Sequence, residues 1–208
     1  MRRLVIVLAG IGAVLAAAAA PAPASAAPAT ARTCENVRLD GTLPAPPPGL
    51  RYQQEVTLGA DCTVRTGPVV AVAAEATGHV HSSSEMYDCC GILMTALYSD
   101  SSWTTADGQV TGATVGTATA AHAEGGGNGW KLVTVGTTGG CPAACPSAAY
   151  QHHAEFSYKG FFDSSGTWYH NAHDTSVTLR GDGTYGCSFS VTLRHTFLGW
   201  HHVRGCSS

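Results

Sequence analysis

The segment HVHSSSEMYDCC brings together five side chains that can bind metal ions: His79, His81, Glu85, Cys89 and Cys90. Residues two apart on a strand point to the same face, with their Cα atoms about 6–7 Å apart. His79 and His81 could therefore share one metal ion, and Glu85 could supply a third ligand. The alternative is a polar strand face with solvated histidines, because His-x-His pairs arise often by chance. The sequence predicts one of these two arrangements.

The chain contains eight cysteines, an even number that predicts a disulfide framework in an exported protein. They are Cys34, Cys62, Cys89, Cys90, Cys141, Cys145, Cys187 and Cys206. We expect all of them to form disulfides. Cys34 is expected to pair with Cys62, and Cys187 with Cys206.

The adjacent pair Cys89 and Cys90 is expected to start two separate disulfides. Neighbouring residues of a strand point to opposite faces, so the two thiols should reach different partners. A bond between them would need a strained ring, because neighbouring Cα atoms lie only about 3.8 Å apart. We therefore expect their partners in the region that holds Cys141 and Cys145. A small Cys141–Cys145 loop is the main alternative.

Four tryptophans are candidates for stacking against a ligand. Trp168 and Trp200 are preferred, with Trp103 and Trp130 completing the set, and core packing is expected for at least two of the four. The motifs Gly-x-Ser-x-Gly and Ser-x-x-Lys of nucleophilic enzymes are missing. The glycine-rich EGGGNGW lacks the Lys-Ser/Thr of a phosphate loop and is interpreted as a flexible hairpin tip. No catalytic residue and no cofactor are predicted.

The first residues of the chain indicate that the protein is exported. Arg2 and Arg3 precede an apolar run over residues 4–20, and Ala24-Ser25-Ala26 fits a signal-peptidase site. Residues 1–26 are therefore predicted to be a signal peptide, removed from a secreted protein. The alternative is an uncleaved membrane anchor, since the run is nearly long enough to span a bilayer. No later apolar run has that length, so no membrane contact is expected after cleavage.

The rest of the chain predicts an all-β fold. Residues 27–50 contain five prolines and are interpreted as a Pro-rich extended arm, followed by a single β-rich domain over 51–208. Short segments rich in Val, Thr, Tyr and Phe, separated by Gly-containing turns, predict an antiparallel β-sandwich or barrel of about 8–9 strands stapled by disulfides. One short helix near residues 89–98 competes with a strand. The predicted strands are 52–58, 61–65, 68–76, 78–87, 109–119, 129–136, 150–159, 168–180 and 184–196.

The last hairpin can be predicted in register. Apolar residues alternate with polar ones in both DTSVTLR and TYGCSFSVTLRH, and both apolar sets must share one face. An odd loop is then required, which Gly181-Asp182-Gly183 supplies with Gly183 in the left-handed position. This register pairs Val177 with Cys187 and Thr175 with Phe189.

Alternation also assigns two further groups of histidines to faces. In QHHAEFSYKGFF, His152 falls on the core side, whereas His153 and Glu155 fall on a solvated face. His173 and His195 both point inward, but the hairpin register separates them by about 13 Å, too far to share one metal ion. They mark either the polar mouth of a pocket or the place where the core ends.

Composition excludes two classes of partner. The chain has 11 Lys and Arg against 14 Asp and Glu and a formal net charge of −3, without a basic stripe. Nucleic acid and anionic membrane surfaces are therefore not expected as partners. We expect a secreted, monomeric, non-enzymatic protein: a disulfide-stabilised domain that binds a carbohydrate, cell wall or protein ligand. The alternative is a small secreted metal-dependent hydrolase or an extracellular metal-binding protein that uses surface histidines.

Overall fold

Two antiparallel sheets pack face to face in the computed structural model, which describes residues 33–47, 50–73, 79–160 and 168–208. The predicted signal peptide lies outside these residues. The strands are β1 Thr33–Pro44, β2 Leu50–Leu58, β3 Val64–Ala73, β4 Val80–Tyr87, β5 Leu93–Ala106, β6 Gln109–Ala121, β7 Gly129–Gly139, β8 Ser147–Lys159, β9 Tyr169–Arg180, β10 Tyr185–Phe197 and β11 His201–Ser207. A single 3₁₀ turn at Gly125–Gly127 is the only helical element among the described residues.

The strand order confirms the all-β prediction and selects the sandwich. The five-stranded sheet has the order β1-β10-β9-β8-β7, and the six-stranded sheet has the order β3-β2-β11-β4-β5-β6. Each sheet keeps two edge strands, so the described strands do not close into a barrel. Nor does any described helix have the length and apolar character needed to cross a membrane.

The register of the last hairpin is confirmed. Val177 pairs with Cys187 and Thr175 with Phe189. The N–H of Arg180 donates to the carbonyl of Thr184, which closes a three-residue loop. Gly183 in that loop has a φ of 82°, in the left-handed region that glycine adopts without steric cost.

Two of the expected disulfides form as predicted. Cys34–Cys62 ties β1 to the turn between β2 and β3. Cys187–Cys206 joins β10 of one sheet to β11 of the other, inside the core. Each bond therefore joins the five-stranded sheet to the six-stranded sheet, between residues 28 and 19 positions apart in the sequence, respectively. Such bonds reduce the conformational freedom of the unfolded state.

The pairing expected for Cys89 and Cys90 is wrong. Cys141 and Cys145 bond with each other in the β7–β8 connection, as the alternative proposed, and leave no partner there. Cys89 and Cys90 are free thiols on the surface. They lie in the β4–β5 turn rather than on a strand, so the rule that neighbouring residues point to opposite faces does not apply to them.

Three strands form where none was predicted. β1 occupies part of the stretch interpreted as a Pro-rich arm, where it pairs with β10 as an edge strand. β5 begins at Leu93, so residues 93–98 form a strand and residues 89–92 a turn, and the competing helix does not form. β11 lies in the middle of the six-stranded sheet, between β2 and β4.

The interior between the sheets has three layers along the strands. One apolar cluster contains Met86, Tyr169 and Trp200, and the other contains Val80, Val177 and Cys206. Between them, inward positions of β4, β5, β9 and β11 are polar. This polar layer consists of Ser84, Thr95, Asn171, His173 and His202, all completely buried.

Candidate functional site

An aromatic-lined cavity of about 290 Å³ opens at one end of the sandwich. We call it the aromatic pocket; it is lined by Asp88, Ile92, Met94, His122, Glu124, Trp130, Tyr158, Tyr169, Phe197 and Trp200. Trp130, Tyr169 and Trp200 are buried and form its floor, whereas Ile92 is 44% exposed and stands at its rim. Concave, largely apolar sites with a few polar groups are typical ligand-binding sites.

Strand register brings the rings to one place. Trp130 pairs with Tyr158 across β7 and β8, and Tyr158 pairs with Tyr169 across β8 and β9. Residues directly opposite each other share a face, so the three rings form a row on the inner side of the five-stranded sheet. Ring centroids in this row are 5.5 Å apart for Trp130–Tyr158 and 5.9 Å for Tyr158–Tyr169.

Trp200 completes the floor from the turn between β10 and β11. Its ring lies 6.1 Å from Trp130, 5.8 Å from Tyr169 and 5.9 Å from Phe197, centroid to centroid. Tilted and edge-on contacts at these distances each stabilise by about 0.5–1.5 kcal/mol beyond the burial of area. These contacts join Trp200 to rings of β7, β9 and β10.

The β6–β7 connection forms one wall, and it was not recognised from the sequence. EGGGNGW was interpreted as a flexible hairpin tip, but β6 and β7 belong to different sheets. The N–H of Trp130 donates to the carbonyl of His122, and the N–H of Glu124 donates to the carbonyl of Asn128. Gly129 has a φ of 102°, and a Cβ there would lie 2.6 Å from the Glu124 nitrogen. Only glycine fits this crossing, which carries Glu124 and Trp130 into the pocket.

The β4–β5 turn forms another wall. The Asp88 carboxylate accepts hydrogen bonds of 2.8 Å from the N–H groups of Cys90 and Ile92. The N–H of Asp88 donates to the carbonyl of Ile92, which closes the turn. Asp88 and Ile92 thus border the pocket on either side of the two free cysteines.

The polar groups of the pocket are concentrated at its rim. The Tyr158 hydroxyl donates to Glu124 Oε1 at 3.1 Å. Partial burial, reinforced by this hydrogen bond and by the negative charge of Glu124, raises the pKa of the Tyr158 hydroxyl. The phenol therefore stays protonated at neutral pH. The carboxylate of Glu124, with a single described side-chain partner, keeps lone pairs free for a ligand.

The buried polar layer is a second concentration of chemistry-bearing side chains. Ser84 Oγ lies 2.9 Å from His173 Nδ1 and 3.0 Å from His202 Nε2, and Thr95 Oγ1 lies 2.9 Å from His173 Nε2. The Asn171 amide donates to Thr95 Oγ1 at 3.1 Å. A hydroxyl between two imidazole nitrogens donates to one and accepts from the other, so the four bonds form one connected chain across both sheets.

Burial keeps both histidines of this layer neutral. It lowers the pKa of His173 to about 3 and lowers the pKa of His202 well below its ordinary value. Ser84 beside His173 resembles a nucleophile and its base, but both are completely buried and no substrate can reach them. The layer is therefore a structural network rather than an active site.

The residues of the predicted metal face have other partners. His81 Nδ1 lies 2.9 Å from Asp100 Oδ1, and the Glu85 carboxylate accepts hydrogen bonds from the hydroxyls of Tyr87 and Tyr98. His79 lies just before β4 begins, on the exposed surface. Across the described parts of the chain, no three or more His, Cys, Asp or Glu side chains form a group that could hold a metal ion.

The two preferred tryptophans are placed differently. Trp200 belongs to the floor of the aromatic pocket and is only 9% exposed. Trp168 is 51% exposed, and its ring stacks on His195 with centroids 4.1 Å apart. His195 in turn meets the edge of Tyr169, a pocket residue, at 6.3 Å. Trp168 therefore lies outside the pocket, one ring removed from its floor.

The remaining histidines follow the predicted faces. His152 is buried, with Nδ1 3.0 Å from Thr117 Oγ1 and 3.1 Å from Thr137 Oγ1. His153 lies on the outer face, 2.7 Å from Asp174 and 3.4 Å from Glu155. Neither of them contributes to the aromatic pocket.

No family model, curated protein or solved structure matches this chain. Its function therefore has to be argued from the chemistry of its own site. The aromatic pocket is the place where rings, carboxylates and a histidine converge on space that a ligand can enter. The polar layer concentrates histidines and hydroxyls, but it is completely buried and has no such space.

Proposed function

We propose that the protein is a secreted, non-enzymatic binding domain that holds a carbohydrate in the aromatic pocket. The observation that carries this proposal is the convergence of five aromatic rings, two carboxylates and one histidine on a single cavity. Export is supported by the three disulfides, since such bonds persist in oxidising compartments outside the cytosol.

The chemistry of a sugar matches both parts of the pocket. Its C–H faces are apolar and can pack on the rings of Trp130 and Trp200, in the way that apolar groups pack on aromatic faces. Its hydroxyl groups donate hydrogen bonds, which the rim carboxylates of Asp88 and Glu124 can accept. Hydrogen bonds to a charged acceptor are stronger than those between neutral groups.

The dimensions of the pocket limit the ligand. A volume of about 290 Å³ is at the lower end of the range for small-molecule sites, roughly 300–1,000 Å³. This volume suits one or two sugar units rather than a long chain. We therefore propose recognition of a chain end or of a short side branch, with Trp168 as a further stacking ring for a neighbouring unit.

The proposal is tested by calorimetric titration with a panel of soluble oligosaccharides, including cello-, xylo-, manno- and chito-oligosaccharides. We expect at least one class to bind. In Glu124→Gln the same ligand should bind about tenfold more weakly, because a hydrogen bond to a charged acceptor becomes one to a neutral acceptor. Glu55→Gln, an equal change of charge at an exposed site on β2, should bind like the native protein.

Three outcomes would overturn the proposal. One is the lack of binding to every class in the panel by a protein shown to be folded. Another is equal weakening by Glu124→Gln and Glu55→Gln, which would place binding elsewhere. The third is binding of insoluble cell wall that persists unchanged in Glu124→Gln, which would point to a flat surface rather than to the pocket.

A further inference from the structure

The two free cysteines are close enough to react with each other. Cys89 Sγ and Cys90 Sγ lie 3.4 Å apart on the exposed β4–β5 turn, with one thiol donating a hydrogen bond to the other. A disulfide requires about 2.05 Å between the sulfurs, so closing the bond needs an approach of only about 1.4 Å. The other six cysteines are already paired, and exchange with them would break a formed bond.

The turn around the two thiols is held by other bonds. The Asp88 carboxylate accepts from the N–H groups of Cys90 and Ile92, and the N–H of Gly91 donates to the Asp88 carbonyl at 3.2 Å. Gly91 has a φ of 78°, which a glycine adopts without strain. The chain is thus bent before the sulfurs bond, and the two thiols are presented together to solvent.

We propose that Cys89 and Cys90 form a reversible disulfide with each other, and that this bond fixes the rim of the aromatic pocket. The oxidant is a disulfide, either of a small thiol such as glutathione or of a disulfide-exchange protein. One cysteine thiolate attacks a sulfur of the oxidant, forms a mixed disulfide and releases one thiol. The second cysteine thiolate then attacks its neighbour's sulfur, and the second thiol leaves. Two electrons pass from the cysteine pair to the oxidant, whose two sulfurs take up the two protons.

Reversibility follows from the ring that the bond creates. Adjacent Cα atoms are about 3.8 Å apart, below the usual 4.4–6.8 Å for disulfides, and deviations of this kind make the bond easier to reduce. The buried Cys187–Cys206 bond has no such constraint, with its Cα atoms 6.1 Å apart. A mild thiol reductant should therefore open Cys89–Cys90 first.

The turn is in direct contact with the pocket. Asp88 and Ile92, which flank the cysteines, line it. A Cβ placed on Gly199 would lie 2.8 Å from the Cβ of Cys89, so Cys89 packs against the turn that leads into Trp200. Closing the ring restricts the side-chain rotation of Cys89 and Cys90 at this rim. The oxidised form should therefore be more rigid and bind a ligand better, because less ordering is required on binding. This second part rests on the proposed function.

The covalent part is tested by alkylating the protein, purified from the periplasm of a bacterial host, without prior reduction. Peptide mapping should show that Cys89 and Cys90 are not alkylated. The peptide that contains them should be lighter by two hydrogens than its dithiol form. Reduced glutathione should then make both alkylatable while Cys34–Cys62 and Cys187–Cys206 stay closed. Alkylation of both thiols after equilibration with excess oxidised glutathione would overturn the proposal.

The pocket part is tested without any ligand, by acrylamide quenching of tryptophan fluorescence. In a Trp103→Phe/Trp168→Phe background, the emission comes from Trp130 and Trp200 of the pocket. Oxidation should lower the quenching constant, and Cys89→Ser/Cys90→Ser should abolish that response. Cys141→Ser/Cys145→Ser, which removes the disulfide of the β7–β8 connection, is the matched control and should keep it.

The outcomes separate the two proposals. If the quenching constant depends on the redox state but no oligosaccharide binds, the proposal of a rim-fixing Cys89–Cys90 disulfide is supported and the proposal of carbohydrate binding is rejected. If an oligosaccharide binds but the quenching constant is identical in both redox states, control of the rim by the disulfide is rejected and carbohydrate binding is supported.

Discussion

The aromatic pocket and the polar layer both contain histidine beside other polar groups, but only the pocket is open to solvent. In the polar layer, Ser84 and Thr95 hydrogen-bond to histidines and Asn171 donates to Thr95, and all of these residues are closed off from solvent. In the pocket, Glu124 and His122 stand at an exposed rim above aromatic rings. The first region pairs most of its polar atoms internally, with Asn171 Oδ1 and His202 Nδ1 as the exceptions, whereas the second leaves hydrogen-bonding capacity for a ligand.

The difference shows why a histidine beside a hydroxyl is not enough for a functional site. His173 is within hydrogen-bond distance of two hydroxyls, yet burial lowers its pKa to about 3 and excludes substrate. Polar networks in an interior specify one packing of the two sheets, because a slip in register would leave several groups unpaired. Function in this molecule is therefore expected at the end of the sandwich, and structural specificity at its middle.

The largest expected effect is loss of stability in acid. His173 and His202 have lowered pKa values in the folded protein, against about 6.5 when unfolded. Above pH 6.5 both states are neutral and stability is full. As the pH falls below about 6.5, the unfolded state takes up protons that the buried histidines do not, and each histidine lowers the free energy of unfolding by about 1.4 kcal/mol per pH unit, down to about pH 3 for His173. Urea unfolding across this range measures the slope.

Substitution at two histidines tests the origin of that slope. His202→Gln should flatten it, because one of the two groups responsible is gone. His153 is the control with the opposite sign: burial lowers its pKa, but Asp174 and Glu155 outweigh this and raise it overall. His153→Gln should therefore leave the acid loss as steep or steeper. An equally steep slope in His202→Gln would mean that other groups dominate acid unfolding.

The next effect is expected from Ser84→Ala. Loss of the hydroxyl removes the partner of His173 Nδ1 and of His202 Nε2, both in the interior. Each unsatisfied buried group costs roughly 1–3 kcal/mol, so unfolding should become easier by about 3 kcal/mol. Ser188→Ala, on the outer face of β10, should stay within about 0.5 kcal/mol of the native protein. Oligosaccharide affinity should be unchanged in folded Ser84→Ala, and a parallel loss would mean that the two regions are coupled.

The smallest effect is expected from Trp168→Ala. The side chain is half exposed and stacks on His195, so the stability change should be below about 1 kcal/mol. Affinity for a monosaccharide should not change, because Trp168 lies outside the pocket. Affinity for a longer oligosaccharide should fall, because Trp168 is proposed to stack on the neighbouring sugar unit. Titration of this variant with ligands of increasing length distinguishes these cases, and weakening that is independent of length would place Trp168 at the primary site.

Hydrophobic alternation predicted the strands whose inward faces are apolar. The β9–β10 hairpin was predicted residue for residue, because Val177, Leu179 and Phe189 alternate with polar neighbours. β5 and β11 were missed because several of their buried positions are polar. Thr95, His202 and Arg204 are buried on these strands and break the pattern on which the prediction depends. The polar residues of the layer therefore prevented the prediction of β5 and β11, two of the strands that contribute to it.

The edge strands and the pocket could not be predicted from local patterns, because both depend on contacts between distant parts of the chain. β1 was missed because the prolines of residues 27–50 indicated an extended arm, but only Pro44 lies in β1, at the last residue of an edge strand, where proline is tolerated. β3 was predicted as two strands, but it continues past Pro68 as an edge strand. Of the pocket, only Trp200 was a preferred candidate. Register could have placed Tyr158 opposite Tyr169, but Glu124 depends on a crossing between sheets that spacing does not reveal.

One measurement tests the contrast between the two regions most directly. Nuclear magnetic resonance spectra of the protein, titrated with the tightest-binding oligosaccharide, report the indole N–H groups of Trp130 and Trp200 and the imidazoles of His173 and His202 together. We predict that both indole signals shift progressively to saturation while both imidazole signals stay in place. Stationary indole signals, with shifts confined to the buried imidazoles or to the outer faces of the sheets, would contradict the assignment of binding to the aromatic pocket.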